Sequence, residues 1–435
     1  MNKKTTIALC IPTYERCDVL KDFFITCAQY YIESGIDIYI YDSSISDDTR
    51  KLVLEWRKKY KAINYVSIDS EMHSNMKVFE ILSGYGLNSK YDFIWVSGDA
   101  IQFSKCAIND LMDRINLKYD IIEMDGRDYN DIGTKEYTKY NDYLVDCAWE
   151  LTLYGSAILN TSTILNNVDW NYYRNKYNKK ELINFSHVGL YFSRICEIPQ
   201  FRALHISVKS TNFMSSLFKH GTGWKNNTYF IFCESWVNVI NSLPKCYNRK
   251  CEAIFQHGKN VLLRSEEDFI MNRRQGILNY KIYRKYYEVW PKVTPVKRSN
   301  IMRISIMPIW LVKVIRKENR NKRKLKKLEK FSKGNGHLYI FGAGIYGTIY
   351  EYYLNSIGVE FDGFVVTSLK DNKNRFSKAK VYKINELKFE LQDAVIVAVK
   401  QNAQNVINEL KENHLHNIFY EPDFIRAFYQ ERGEM

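Results

Sequence analysis

The spacing of apolar and polar positions changes period several times in the first hundred residues. TIALCIPTY (6–14) is a continuous apolar run, and the stretch from Val19 to Ser34 has helical spacing. IDIYIYDSS (36–44) reads as a second strand, and SDDTRKLVLEWRKKY (46–60) opens with polar capping residues before a helical pattern. INYVSID (63–69) is a third strand, and MKVFEILSGYG (76–86) is helical and leads to a fourth strand in YDFIWVSGD (91–99). Strands and helices alternating at this length predict an α/β domain with a mainly parallel sheet covered on both faces.

Beyond about residue 105 the pattern is less regular, with aromatic-rich pieces such as WELTLYGSAIL, NFSHVGLYF and HGTGWKNNTYFIFCESW. Regular alternation returns after Gly334-Asn335-Gly336. HLYIFGAGIYGTIYEYYLNSIG reads as strand, glycine-rich turn and helix, and FDGFVVT and DAVIVAVK are two further buried strands. That pattern predicts a small Rossmann-like domain. The expected division is a first domain over 1–245, a helical extension and basic linker over 246–333, and the Rossmann-like domain over 334–435.

Composition adds three constraints. At 435 residues the chain is too long for one ordinary core. Its nine cysteines are scattered without a CxxC pair, so neither a zinc motif nor a disulfide framework is indicated. Cys10 and Cys27 lie among apolar residues and read as buried thiols. The short N-terminal apolar run reads as a strand and not as a signal peptide, and a reduced cytoplasmic setting is expected.

The net charge of +14 is concentrated. Between Lys313 and Lys333 there are 11 Lys or Arg against two Glu. This segment follows the apolar stretch Ile304 to Ile315, which holds Trp310 and is too short to span a bilayer. A peripheral contact with an anionic membrane and a solvated inter-domain helix both fit that pattern. No nucleic-acid motif accompanies the charge, so nucleic acid is not an expected partner.

In a parallel α/β sheet, ligands bind beyond the carboxyl ends of the strands. The residues there are Pro12, Thr13, Tyr14 and Glu15 after strand one, Asp42, Ser43 and Ser44 after strand two, and Ser97, Gly98 and Asp99 after strand four. Strand three ends near Asp69, with His73, Asn75 and Lys77 following. Short polar groups and carboxylates gathered at strand tips suit a base, a ribose and a diphosphate.

The ordered motifs IPTYE, YDSSISDDT and a terminal SGD resemble family 2 glycosyltransferases of the GT-A fold, closest to bacterial enzymes of surface-glycan synthesis. The resemblance covers roughly residues 5–245. It implies an inverting transferase that moves a sugar from a UDP-sugar, or a TDP-sugar, to a lipid-linked or protein-linked glycan. Pro12, Thr13, Tyr14, Glu15, Ser44, Ser97 and Gly98 would line the donor site. Asp42 would read the imide N–H of the base, and Lys77 would face the diphosphate. The chemistry of Asp42 agrees, since a carboxylate only accepts hydrogen bonds; an Asx-turn role fits the same position. Asp99 matches the last carboxylate of the family's DxD motif and would hold Mn²⁺ or Mg²⁺, although the first Asp is replaced by Ser97.

The family's catalytic base is an Asp some tens of residues after a Gly-Ser segment. Here Gly155-Ser156 is followed by Phe185-Ser186-His187-Val188-Gly189, which has no carboxylate. His187, Asp99 and an acid elsewhere in the chain are therefore the alternatives for the base. His220, Trp224, Glu234 and Trp236 are candidates for an acceptor pocket, with core packing favoured for Trp236; Trp149 and Glu150 are ambiguous.

In the last domain, Gly342 to Gly347 matches G-x-G-x-x-G, yet the strand FDGFVVTS ends without the acidic residue that would hold an adenosine ribose. NAD is not an expected cofactor, and the domain fits regulation or assembly, including oligomer formation, better than hydride transfer. Two other readings stay open: a nucleotide-sugar-modifying NAD(P)-dependent enzyme, and a catalytically degenerate binding subunit.

Overall fold

The computed structural model describes residues 5–72, 74–84, 87–125, 132–208, 212–216, 227–261, 263–315, 318–334, 336–369, 377, 379–399 and 403–431. His73, His220, Trp224 and Asn335 lie outside the described residues, as do the side chains of residues 313–322 in the basic segment.

Among the described residues, ten strands belong to the first part of the chain: β1 (Ile7–Thr13), β2 (Ile36–Asp42), β3 (Ile63–Ser67), β4 (Phe93–Val96), β5 (Ile101–Phe103), β6 (Ile121–Asp125), β7 (Lys135–Tyr137), β8 (Ala157–Asn160), β9 (Ala203–Ser207) and β10 (Phe213–Ser215). Eight of them form one sheet in the order β3-β2-β1-β4-β8-β6-β9-β7, while β5 and β10 pair separately. Only β8 and β7 oppose the common direction, so the fold is α/β with a mainly parallel sheet.

The continuous apolar run in β1 reflects burial on both faces. Ala8 and Cys10 face one core and Ile7, Leu9 and Ile11 the other, because successive side chains leave a strand on opposite sides. The helix Asp48–Lys59 forms where the spacing predicts it, but no side-chain bond caps it; Asp47 instead approaches Arg50 at 4.0 Å. Helices of the 250–306 region contribute Ile254, Phe269, Trp290 and Ile301 to the same core as Ala8 and Cys10, so this extension packs on the first sheet.

The second sheet is wholly parallel, in the order β13-β12-β11-β14-β15, with β11 (Leu338–Phe341), β12 (Gly363–Val366), β13 (Val381–Lys383), β14 (Ala394–Val397) and β15 (Asn417–Phe419). The helix Ile345–Ser356 starts at Gly344. A Cβ at Gly347 would lie 2.0 Å from the Gly342 carbonyl oxygen, which is why the turn needs glycine there. The basic helix Glu318–Ser332 packs on this domain, with Leu328 in its core and Lys324 bonded to Glu421 and Asp423. Among the described residues no helix is long and apolar enough to cross a membrane.

Candidate functional site

Parallel pairing sets Thr13 level with Asp42, and Asp42 level with Ser67, so the tips of β1, β2 and β3 end together. The segment after β4 joins them through the Ser97 amide, which donates to the Cys10 carbonyl at 3.0 Å. Asp99, 86 residues from Thr13 in the chain, thereby comes to accept the Thr13 hydroxyl at 3.0 Å.

Asp99 also carries a cation. Arg16 Nη1 lies 2.7 Å from its Oδ1, and Asp99 itself is buried. Among the described residues the second terminal nitrogen of Arg16, Nη2, is buried without a hydrogen-bond partner. An unsatisfied guanidinium donor beside strand tips is a ready contact for an anion.

A second cation closes the other side. The lysine expected to face the diphosphate, Lys77 on the helix Ser74–Ser83, is buried and donates to the Ser43 hydroxyl. Ser43 in turn donates to the Thr13 carbonyl at 3.1 Å. Burial lowers the Lys77 pKa, opposed by the nearby charges of Asp42 and Asp99. The same ammonium lies 5.3 Å from the centre of the half-exposed Tyr14 ring, a cation–π distance.

Asp42 uses one oxygen to accept the Ser44 amide at 2.9 Å, an Asx turn, and the other to accept the Tyr65 hydroxyl at 3.0 Å. Glu15 has a different place from the buried acids. It is exposed, adopts φ +49°, and its carboxylate accepts the amides of Ile45 and Ser46 and the Ser46 hydroxyl. Those bonds, led by the Ser46 amide, hold its pKa below the ordinary glutamate value. Glu15 thus fastens the loop after β2 to the loop after β1, and the Ser44 hydroxyl accepts the Glu15 amide at 2.8 Å. On one side of this clasp is a depression of about 760 Å³ bordered by Arg16, Lys21, Lys51 and Trp56. On the other is one of about 420 Å³ bordered by Arg50, Arg57, Tyr65 and Ser67.

The floor beside Asp99 comes from the segment before β8. Gly98 N–H donates to the Tyr154 carbonyl at 3.4 Å, and Trp95 Nε1 donates to the Gly155 carbonyl at 2.7 Å. Gly155 has φ +116°, and a Cβ on it would lie 2.7 Å from Ser97 Oγ. Only glycine therefore lets Tyr154 approach this closely, where its hydroxyl donates to Asn75.

His187 lies in the helix Ser186–Ile195, buried, with its ring centre 4.5 Å from that of Tyr154. Its Nε2 is 3.0 Å from the Leu151 carbonyl oxygen, which makes Nε2 the protonated nitrogen. Burial pushes its pKa down to about 4. The ring supports Tyr154 from behind.

Thr13, Asp42, Ser44, Lys77, Ser97, Gly98 and Asp99 are brought together; Pro12 ends β1 beside Thr13, and Tyr14 and Glu15 border the opening. Trp236 is core and stacks on His257, and Glu234 bonds Lys285 and Tyr286 in the helical extension. Sequence reasoning missed Arg16 and Tyr65, and it met Tyr154 only as the residue leading into the Gly155-Ser156 segment. Arg16 had a local signal, as a charge directly after the strand-end PTYE; Tyr65 had none beyond composition.

The divalent ion expected at Asp99 fits these residues poorly as they stand. Asp99 brings one carboxylate whose two oxygens already meet Arg16 and Thr13, and Ser97 replaces the second acid.

No protein-family model matches this chain, and no curated protein matches it. Among solved structures it is similar to a mannosyltransferase from Pyrobaculum calidifontis in complex with GDP-mannose and Mn²⁺, at 10% identity over 67% of this chain and 78% of that one, with a TM-score of 0.39. It is similar to S. aureus TarS at 11% identity over 69% and 90% of the two chains, with a TM-score of 0.37. It is similar to glucosyl-3-phosphoglycerate synthase from Mycobacterium tuberculosis at 9% identity over 55% and 81%, with a TM-score of 0.34. Likeness at this level carries no conclusion about activity, which has to be argued from the strand tips.

Proposed function

We propose that the protein is a glycosyltransferase of the GT-A type that binds a UDP-sugar at the tips of β1, β2 and β4. One observation carries the reading: Thr13, Asp42, Lys77 and Asp99 converge there with Arg16, from four separate stretches of chain. Asp42 selects the imide N–H of uracil, because it only accepts hydrogen bonds; thymine presents the same group. Arg16, through its unsatisfied nitrogen, and Lys77 supply positive charge to the diphosphate. That charge stabilises the leaving group as the bond from sugar C1 to the phosphate oxygen breaks and the bond to the acceptor oxygen forms, with the proton of the acceptor hydroxyl passing to Asp99, one of the candidate bases. The acceptor proposed is a glycan of bacterial surface-polysaccharide or glycoconjugate synthesis, and inversion at C1 is part of the proposal. We assign His187 a positioning role behind Tyr154.

Exposed Met302, Ile306, Ile309 and Trp310 precede the basic helix, and we propose them as a peripheral contact with the inner face of the cell membrane. Flotation with anionic but not neutral vesicles is expected, and Trp310→Ser should reduce it.

Calorimetry with UDP, CDP and UDP-sugars tests the donor reading. UDP binding that Arg16→Ala and Lys77→Met weaken is expected; equal affinity for UDP and CDP would remove Asp42 from base recognition. Mn²⁺ decides the metal question. If it tightens UDP binding more than about tenfold and Asp99→Asn abolishes that gain, Asp99 is a metal ligand and Arg16 loses its role.

The positioning role of His187 has a pH test. Its folded pKa of about 4 lies below the unfolded value of 6.5, so the unfolded chain binds more protons between those values. Stability contributed by the neutral ring is complete above pH 6.5 and falls with pH towards 4. The loss is on the order of 3 kcal/mol. His187→Gln should flatten that part of the stability profile and leave the pH dependence of kcat unchanged.

A further inference from the structure

A second group of chemically active side chains lies inside the first domain, away from the strand tips. Glu123 sits in the middle of β6, and the parallel pairing sets it level with His205 on β9. Cys147 ends the helix Tyr140–Cys147, and Glu150 begins the next turn. His205 Nδ1 lies 3.2 Å from Glu123 Oε2 and 3.4 Å from Glu150 Oε2. One ligand atom from each of the four residues lies within 4.8 Å of all the others, and all four residues are buried.

All four groups are gathered out of water. Removing an ionised carboxylate from water costs several kcal/mol even after relaxation. Two carboxylates and a thiol close on one imidazole here, a donor set that suits a divalent cation. The Cys147 thiol bonds Glu123, adding another group that becomes anionic when it binds a metal. An independent observation points into the same place. The Tyr143 hydroxyl is fully buried and, among the described residues, has no hydrogen-bond partner; it lies within electrostatic range of Glu123, Cys147 and Glu150.

We propose that Glu123, Cys147, Glu150 and His205 form a structural site for one divalent transition-metal ion, with zinc the ion its ligand set favours. A thiolate and an imidazole select against magnesium and calcium, which take oxygen ligands. Tetrahedral zinc, with bonds of about 2.0–2.3 Å, separates its ligand atoms by roughly 3.3–3.8 Å. Closing the cluster from 4.8 Å onto an ion therefore takes a shift of no more than about 1.5 Å. Four protein ligands in a buried setting describe a closed site, one that holds structure and does not activate water. The ion ties the helix Tyr140–Cys147 and the Glu150 turn to β6 and β9. From that turn the chain runs directly to Tyr154 and Gly155, so the ion also braces the floor beside Asp99. This site stands independently of the donor-binding proposal.

The experiment uses the full chain purified without a histidine tag, stripped with chelator and titrated with Co²⁺ and Zn²⁺. Expected are one tightly held equivalent of zinc, visible cobalt bands of tetrahedral intensity with a thiolate-to-cobalt band, and a higher thermal midpoint in zinc. Cys147→Ser should remove the thiolate band, and His205→Gln should remove tight binding. A stripped wild-type chain that stays folded and binds neither ion overturns the proposal, whatever the variants do. Cobalt binding that lacks the thiolate band and is lost in Asp99→Asn also overturns it, because the ion would then sit at the strand tips.

Discussion

After β1 and after β11 the chain turns from a parallel strand into a helix, and the two turns have opposite chemistry. The first carries Thr13, Glu15 and Arg16, and it meets Asp42, Lys77 and Asp99 from neighbouring tips. The second carries Gly342, Ala343 and Gly344, and Gly347 in the first turn of the helix lets that helix lie against the Gly342 carbonyl. Both turns sit at the carboxyl edge of a parallel sheet, where a ligand crevice is expected. Charged side chains converge at the first, whereas the second offers backbone. The lesson is that topology makes the crevice and tip side chains make the site.

Four experiments break or sharpen this contrast. Arg16→Ala should have the largest effect, weakening UDP binding roughly 10- to 100-fold through loss of charge-assisted hydrogen bonds. Unchanged affinity in calorimetry would erase the difference between the two turns. Gly347→Ala should destabilise the C-terminal domain by about 1–3 kcal/mol, as overpacking does, while leaving UDP affinity as it was. Denaturant unfolding followed beside UDP titration separates those effects. Asp42→Asn should shrink the preference for UDP over CDP about tenfold, since an amide both donates and accepts. Smallest of all, NAD or NADP should leave the thermal midpoint unmoved; a saturable rise would give the glycine turn a ligand of its own.

How much of the site was legible in the sequence differs by residue. Thr13, Asp42 and Asp99 were legible because each directly follows an apolar run, and a parallel sheet gathers such positions at one edge. Lys77 was half legible: its place near the tips followed from order along the chain, but its burial against Ser43 depends on how the helix Ser74–Ser83 packs. His187 was legible as the residue at the family's expected position, and its placement behind Tyr154 was not. Arg16 was in plain view beside the strand, yet nothing local said that Asp99 would be its partner.

The sequence by itself determined the alternation of strands and helices, the mainly parallel character of the sheets and the polar edge of the first. Those follow from side-chain direction, which repeats every two residues in a strand and every 3.6 in a helix. Only the tertiary structure decided that Arg16 neutralises Asp99, that Tyr154 rests on His187, and that Glu123 meets His205 across 82 residues. Such pairs depend on strand order and register, which local patterning does not encode. A carboxylate inside IIEM and a histidine inside ALHIS are merely polar interruptions until the sheet sets them side by side.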